Sequence, residues 1–296
     1  MSSFKSGFVA LVGLPNVGKS TLINKIVGAK VAIVSKKPQT TRNRISGIYN
    51  DAGSQIIFLD TPGIHKAKNK LDRYMSFVID QSMIDVDCIV MLTDIRKGLR
   101  EEEKTVLEKI QKSGCPYILA VNKTDAVDPS LLETLLEPFN AVNSSVNCIS
   151  ALSGEGVTEL LSEIKKSLKE GPKYYPDSEY TDQSLAQLCA ETIREKALKH
   201  LGKEIPHGVG VEITKIQRDD ARDIVDMEAV IYCEKNSHKG IIIGKQGARL
   251  KKIGSEARSD IEDLIGSKVF LELWVKVRDD WRNDASFIKT LGYRED

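Results

Sequence analysis

"GLPNVGKS", residues 13–20, decides the reading of this chain. It fits the pattern G-x-x-x-x-G-K-S, and it lies between the apolar run "FVALV" and the helix-like stretch "TLINKIVG". A glycine loop that closes a strand and opens a helix turns backbone N–H groups inward, and the helix N-terminus adds a dipole favourable to anions. Such a loop cradles phosphate, with its lysine as a point charge and its hydroxyl available to Mg²⁺. The candidate cradle is Gly13, Asn16, Val17, Gly18, Lys19, Ser20 and Thr21, in which Lys19 reaches the outer phosphates and Ser20 supplies a metal oxygen. A plain glycine turn is the alternative, and the strand-to-helix context counts against it.

Outward from this loop, "QIIFLD" (55–60), "CIVMLTD" (88–94), "YILAVNK" (117–123) and "VNCISA" (146–151) are further short apolar runs, each ending at a polar loop and separated by helix-like stretches. Apolar strands alternating with helices predict an α/β domain with a mostly parallel sheet covered on both faces. Its ligand site lies at the carboxyl ends of the strands. Two such ends carry chemistry. In "DTPG" (60–63), Asp60 suits a Mg²⁺ held through water, and Gly63 offers its N–H to a terminal phosphate. In "NKTD" (122–125), Asp125 is acceptor-only and suits the ring N–H and exocyclic amine of guanine, whereas adenine presents an acceptor at the matching ring position. Asn122 ties loops together and reaches the imidazole edge, the Lys123 stem covers the face of the base, and Ser150, Ala151 and Leu152 close the pocket through the Ala151 N–H. The predicted ligands are therefore GTP and Mg²⁺.

At 296 residues, 41% hydrophobic and 29% charged, the chain has room for two compact domains. The net charge of +1 makes any nucleic-acid site a matter of a local patch. Five cysteines, widely spaced and without a Cys-x-x-Cys pair, argue against a disulfide framework or zinc site and fit a reducing cytoplasm. No run of about 20 apolar residues suggests a membrane span, so membrane contact is expected to be peripheral.

"EGPKYYPDSEYTDQS" (170–184) has two prolines, three tyrosines and no periodicity, so it reads as a linker. The expected division is 1–170, a linker at 171–183, and a second domain at 184–296. Within that domain a helix is predicted over 184–201, strands in "VGVEITKIQRD" and "MEAVIYCEK", a helix from Arg249 to Leu264 and a last strand in "KVFLELWVKVR". Leu250, Ile253, Ala257, Ile261 and Leu264 share one face of the helix. Before it, a strand-like run containing Ile241, Ile242 and Ile243 meets Gly244-Lys245-Gln246-Gly247. Two glycines around two polar residues let a nucleic-acid backbone pass close by, as in a KH domain, whose G-x-x-G loop clamps single-stranded RNA. Lys239, Lys245, Arg249, Lys251 and Lys252 supply the local basic patch, and the three isoleucines one side of a groove. The order of elements matches the type II KH arrangement. Trp274 lies out of phase with its strand and either stacks on a ligand or packs beneath the final helix.

Taken together, "GLPNVGKS", "DTPG", "NKTD" and "SAL" over 8–169 resemble the G domain of translation-factor-related GTPases. That resemblance marks "PQTTR" (38–42) as the first switch, where Thr41, or else Thr40, coordinates Mg²⁺ in the triphosphate state. A G domain followed by a KH domain, with "ETIREKALKHL", "VGVEI", "IGKQGARLKKIG", "LELWVKV" and "LGY", resembles the Era family of bacterial ribosome-assembly GTPases. The resemblance implies binding to the 3′ end of small-subunit ribosomal RNA during 30S assembly, best in the GTP form, and peripheral contact with the inner membrane; slow intrinsic GTP hydrolysis and a monomer are expected besides. Ile64 stands where many related switches carry a water-positioning glutamine, and an apolar side chain cannot orient water. GTPases with that feature often carry Asn at the position of Asn16, where its side chain helps hold K⁺; the other reading is that Asn16 only pins the first switch. The catalytic candidates are Lys19, Thr41, Gly63 and Asn16. A GTPase acting in tRNA modification or on another RNA is the competing reading, and the former would want a catalytic partner domain or a reactive cysteine.

Overall fold

The computed structural model describes residues 4–35, 37, 39–143, 145–202 and 205–294; Pro38, at the head of the first switch, lies outside them. The chain forms two compact units. The first comprises Met1–Ala32, Thr41–Lys66 and Met75–Asp182; the second comprises Ile33–Thr40, Ala67–Tyr74 and Gln183–Asp296. This differs from the division expected from sequence in two ways. Two short pieces from the first half of the chain cluster with the C-terminal unit, and the supposed linker, through Asp182, belongs to the first.

The first unit is built on β1 (Lys5–Gly13), β2 (Ile45–Asn50), β3 (Ser54–Asp60), β4 (Cys88–Asp94), β5 (Tyr117–Asn122), β6 (Val146–Ile149) and the short β7 (Lys169–Glu170). The sheet order is β2-β3-β1-β4-β5-β6, with β7 antiparallel on the start of β1. All pairs from β3 to β6 are parallel, whereas β2 runs antiparallel to β3. Along β1, Val9 and Leu11 enter one core and Ala10 and Val12 the other. Burial on both faces is why this strand is a continuous apolar run. Chain order reverses at β1, which lies between β3 and β4, so its carboxyl end opens at the switch point where α/β ligands bind. The helices of the first half are α1 (Lys19–Val27), α2 (Lys70–Gln81), α3 (Glu101–Ser113), α4 (Leu132–Asn140) and α5 (Val157–Ser167).

β2 escaped the sequence reading because "ISGIYN" is short and holds a glycine and a serine. It is the sheet edge, and the stretch expected to be a free linker covers it. The Ile48 N–H donates to the Tyr180 carbonyl (2.9 Å), and the Ser46 hydroxyl to Asp182 (2.8 Å). Fully buried Gln55 accepts from the Tyr174 and Tyr175 amides (2.6 and 3.0 Å) and donates back to the Tyr175 carbonyl (2.8 Å). A buried side-chain amide that serves three backbone groups converts an aperiodic segment into a strap.

In the second unit, α6 (Leu185–His200) leads to β8 (Gly210–Asp219), β9 (Ile224–Cys233), α7 (Asn236–Ile243), α8 (Ala248–Ile265), β10 (Lys268–Val277) and α9 (Ala285–Thr290). The sheet order is β10-β9-β8, with β8 antiparallel and β10 parallel to β9. Cys189, Ile193 and Ala197 of α6 and Ile253, Ala257 and Ile261 of α8 share one core with Met227, Ala229 and Ile231 of β9. Two expectations need correction. The isoleucine run before the G-x-x-G loop is the end of helix α7, not a strand: Ile242 is fully buried, so only its neighbours are left at the surface. β-branched residues favour strands weakly, and packing of α7 on α8 and β10 overrides that preference. On α8, Leu264 is 41% exposed and Ile265 packs on the core instead, because a 3.6-residue period drifts past a strict three-four spacing. Trp274 is also exposed (57%), so it does not pack beneath the final helix; Trp281 is the buried tryptophan, donating its indole N–H to the Gly208 carbonyl (2.9 Å).

Candidate functional site

At the end of β1 the loop passes through Asn16, exposed and left-handed (φ 64°), and Gly18 (φ 112°) before α1 starts at Lys19. A Cβ on Gly18 would sit 2.2 Å from the Asn122 amide nitrogen, so only glycine fits there. Lys19 is buried, and its ammonium group donates to the Gly13 and Leu14 carbonyls (3.0 and 3.2 Å). Burial lowers its pKa to about 8, against the opposing pull of Asp60. Val17 is buried and Thr21 half-buried at the foot of the loop.

Three residues predicted to hold metal come together from three elements. Ser20 is the second residue of α1, Asp60 ends β3, and Thr41 lies in the segment between α1 and β2. The Ser20 hydroxyl donates to Asp60 Oδ2 (2.7 Å) and lies 3.0 Å from the Thr41 hydroxyl, which also donates to Asp60 Oδ2 (3.3 Å). Thr40 donates to the Lys37 carbonyl (2.6 Å), so of the two threonines it is Thr41 that meets Asp60. Asp60 is fully buried, and its other oxygen, Oδ1, has no hydrogen-bond partner among the described residues. Burial raises the Asp60 pKa, with Lys19, Ser20 and Thr41 opposing. Two hydroxyls and a carboxylate with one idle oxygen are the hard donors Mg²⁺ takes, leaving the rest of its shell to water and phosphate. An ion here would give Asp60 a counter-charge, as a polyphosphate would give one to Lys19. The residues present fit that pair of ligands.

Beyond Asp60, the Thr61 hydroxyl donates to the Leu11 carbonyl (2.7 Å). Gly63 lies against Pro15, and the Ile64 N–H donates to the Gly13 carbonyl (3.3 Å). The Ile64 side chain packs on the cores of both sheet faces. Its contacts are those of a packing residue.

Asn122 ties the site together. Its amide donates to the Val17 carbonyl (2.7 Å), and its oxygen accepts from the Ala151 N–H (2.9 Å), all three residues being buried. The Ala151 N–H is thus taken by Asn122 instead of facing a base, since a buried amide pairs with the nearest acceptor. Lys123, in the left-handed region (φ 71°), donates to the Asn16 carbonyl (2.5 Å) and to Asp94 (2.9 Å). Asp125 is exposed and oriented by the Ser150 hydroxyl (2.6 Å), and Leu152 is 75% exposed. Sequence reasoning missed Asp94, although "CIVMLTD" puts it at a strand end. Burial alone would raise its pKa, but hydrogen bonds from Arg96 and Lys123 outweigh that and hold it well below the usual carboxylate range. It anchors Lys123.

In the second unit, Gly244 (φ 76°) and Gly247 (φ 78°) flank exposed Lys245 and Gln246, with Gln246 left-handed as well (φ 51°). Ile241, Lys251 and Lys252 are exposed and Ile243 half-buried. Arg249 is half-buried, and its guanidinium donates to the Ile241 carbonyl at the end of α7.

Comparison with known proteins agrees with this geometry. A family model described as 50S ribosome-binding GTPase matches residues 8–123, and a KH domain model matches residues 204–282. GTPase Era of Alkaliphilus oremlandii is 48% identical over 98% of this chain and 99% of its own length, and GTPase Era of Clostridioides difficile 49% over 99% of each. Among solved structures, a point variant of Aquifex aeolicus Era bound to GDP.AlF4⁻ is 38% identical with a TM-score of 0.95, covering 99% of this chain and 100% of that one. Era in complex with MgGDPNP and nucleotides 1506–1542 of 16S ribosomal RNA gives the same identity, TM-score and coverage. Similarity of this depth, running through both the phosphate loop and the G-x-x-G loop, means that the chain belongs to the Era family of GTPases.

Proposed function

We propose that this chain is a GTP-binding and GTP-hydrolysing switch that binds the 3′ end of 16S ribosomal RNA and acts in 30S subunit assembly. The observation that carries the reading is the Ser20–Thr41–Asp60 oxygen cluster beside buried Lys19, in a chain that also presents an open G-x-x-G loop. The relative solved with MgGDPNP and ribosomal RNA supports the ligand pair. In this reading Lys19 leaves its loop carbonyls for the outer phosphates, Gly63 donates its N–H to the terminal phosphate, and Asp125 reads guanine. Ser20, Thr41 and Asp60 would hold Mg²⁺, whose charge would offset the negative charge of the phosphates during transfer. Exposed Lys245, Gln246 and Lys252 meet RNA phosphates, with Ile241 and Ile243 offering apolar surface to bases.

The apolar Ile64 side chain cannot orient water, so slow intrinsic turnover is expected, and Asn16 would hold a K⁺ ion that supplies positive charge. An arginine finger in the same role is worth about 10³–10⁵ in rate. Turnover that is equal in KCl and NaCl removes the K⁺ role. The protein acts as a cytoplasmic monomer with peripheral contact to the inner membrane; no described helix is long and apolar enough to cross a membrane. Gel filtration and co-sedimentation with anionic vesicles test these two points. Against the tRNA-modifying alternative, burial pushes the Cys189 thiol up to about 11 and raises that of Cys233, the opposite of what a reactive cysteine needs.

The test is the affinity of an oligonucleotide copied from the 16S 3′ end for protein loaded with a non-hydrolysable GTP analogue or with GDP. Binding should be tighter by fivefold or more, as an order of magnitude, in the GTP-like state. Lys245→Asp with Gln246→Asp keeps both left-handed glycines and should abolish it. Equal binding in both states refutes the switch.

A further inference from the structure

The second compact unit contains Ile33–Thr40, the stretch of the first switch that leads directly to the metal-site residue Thr41. Two successive residues of α6 hold that stretch at both ends. Glu195 accepts a hydrogen bond from the Val34 N–H (2.9 Å), and the buried Arg194 guanidinium donates to the Thr40 carbonyl. Arg194 is itself oriented by Glu191, one turn earlier on the same helix, which accepts from its Nε (2.8 Å). Between the two pins, Gln39 sits in the left-handed region (φ 58°) and donates to Asp72 (2.9 Å), at the start of α2. The opposite side of α6 faces the helix that follows the G-x-x-G loop. Lys196 pairs with Asp260 (2.6 Å) and Lys199 with Glu256 (2.9 Å), over the apolar contact of Ile193 and Ala197 with Ile253 and Ala257.

We propose that Arg194 and Glu195 are positioning residues for the nucleotide reaction: through the Thr40 carbonyl and the Val34 amide, α6 sets where Thr41 stands, and so couples the G-x-x-G helix to the metal site. This rests on the GTPase reading above. The chemistry suits the task. A guanidinium on a backbone carbonyl is a charge-assisted bond with fixed direction, and it acts one peptide away from Thr41. Thr41 is the metal residue expected to matter only while the terminal phosphate is present, so its placement should affect GTP and not GDP. Coupling through α6 is a measurable free energy that must appear equally from the nucleotide and from the RNA.

The experiment compares full-length wild type with Glu191→Gln/Arg194→Met, which leaves no full charge buried without a partner, and separately with Glu195→Met. The single Glu191→Gln is the control. Affinities for a GTP analogue and for GDP are measured with Mg²⁺, then those of the ribosomal oligonucleotide in each nucleotide state. Loss of a hydrogen bond to a charged group predicts about a tenfold or greater fall in analogue affinity. GDP affinity should stay within about twofold, and the oligonucleotide's preference between nucleotide states should collapse toward unity, while its affinity in the GDP state is kept. A fall of equal size for GDP and the analogue would mean a merely structural role and would overturn the proposal, as would unchanged analogue affinity in both variants. If the Arg194 variant does not fold, the Glu195 variant decides by the same criteria, because it leaves the Arg194–Glu191 pair intact. A wild type that shows no Mg²⁺-dependent preference for the triphosphate would instead sink the GTPase reading itself.

Discussion

Replacing Asn122 by alanine isolates what holds the nucleotide site together before any nucleotide is present. The substitution removes both hydrogen bonds at once and leaves the Val17 carbonyl and the Ala151 N–H buried without partners. Each orphaned group costs about 1–3 kcal/mol, so the two bound the loss at about 2–6 kcal/mol. The vacated space is polar and can take a water that recovers part of it, which places the expected destabilisation near 3 kcal/mol. With a urea m-value of about 2 kcal/mol per molar for a domain of this size, the midpoint of the first unit falls by about 1.5 M. Both tryptophans, Trp274 and Trp281, lie in the second unit, so fluorescence follows that unit while far-UV circular dichroism follows both. In nucleotide-free protein the dichroism transition of the first unit should move down and the fluorescence midpoint should hold. Asn122→Asp keeps an acceptor for the Ala151 N–H but sets a carboxylate oxygen against the Val17 carbonyl, so it should recover less than half of the loss. A dichroism transition for Asn122→Ala within about 0.3 M of wild type would refute the argument that Asn122 is the tie, whatever happened to nucleotide binding.

Other outcomes follow from the same geometry. Asp125→Asn turns an acceptor-only group into one with donors, so GTP affinity should fall by about 10² or more while affinity for xanthosine triphosphate rises; retained preference for guanine in competition assays would remove Asp125 as the reader of the base. Lys19 has a pKa of about 8 in the free protein, and phosphate binding favours its charged form. Triphosphate affinity should therefore be constant below pH 8 and fall by up to about tenfold per unit above it, a slope titration calorimetry should find absent in Lys19→Met. Ile64→Ala should cost about 1–2 kcal/mol of stability through lost packing and leave turnover within a few-fold of wild type. A hundredfold loss of turnover would give Ile64 a catalytic part that its contacts do not explain.

The glycine loop, the strand-end carboxylates and the G-x-x-G loop were legible because each needs particular residue types in consecutive positions. Glycine marks where a backbone must be left-handed or closely approached, and acceptor-only carboxylates mark where a cation or a donor edge is met. The helix ending at Ile243 was not legible, since three isoleucines carry a strand preference that only packing on α8 and β10 reverses. Nor was the strap over β2: Gln55 serves three backbone groups more than a hundred residues away, and backbone acceptors are written in no letter of the sequence. The same reason hides the hold of α6 on the first switch. "ETIREKALKHL" reads as one more amphipathic helix, because Arg194 and Glu195 act on a carbonyl and an amide whose own side chains, Thr40 and Val34, take no part in the bonds. Motifs mark candidate ligand sites, whereas hydrogen bonds from a side chain to a distant main-chain group leave no such mark. If the proposed coupling through α6 holds, the positions by which RNA and nucleotide sense one another are to be sought among buried side chains that meet a backbone, as Arg194 meets the Thr40 carbonyl.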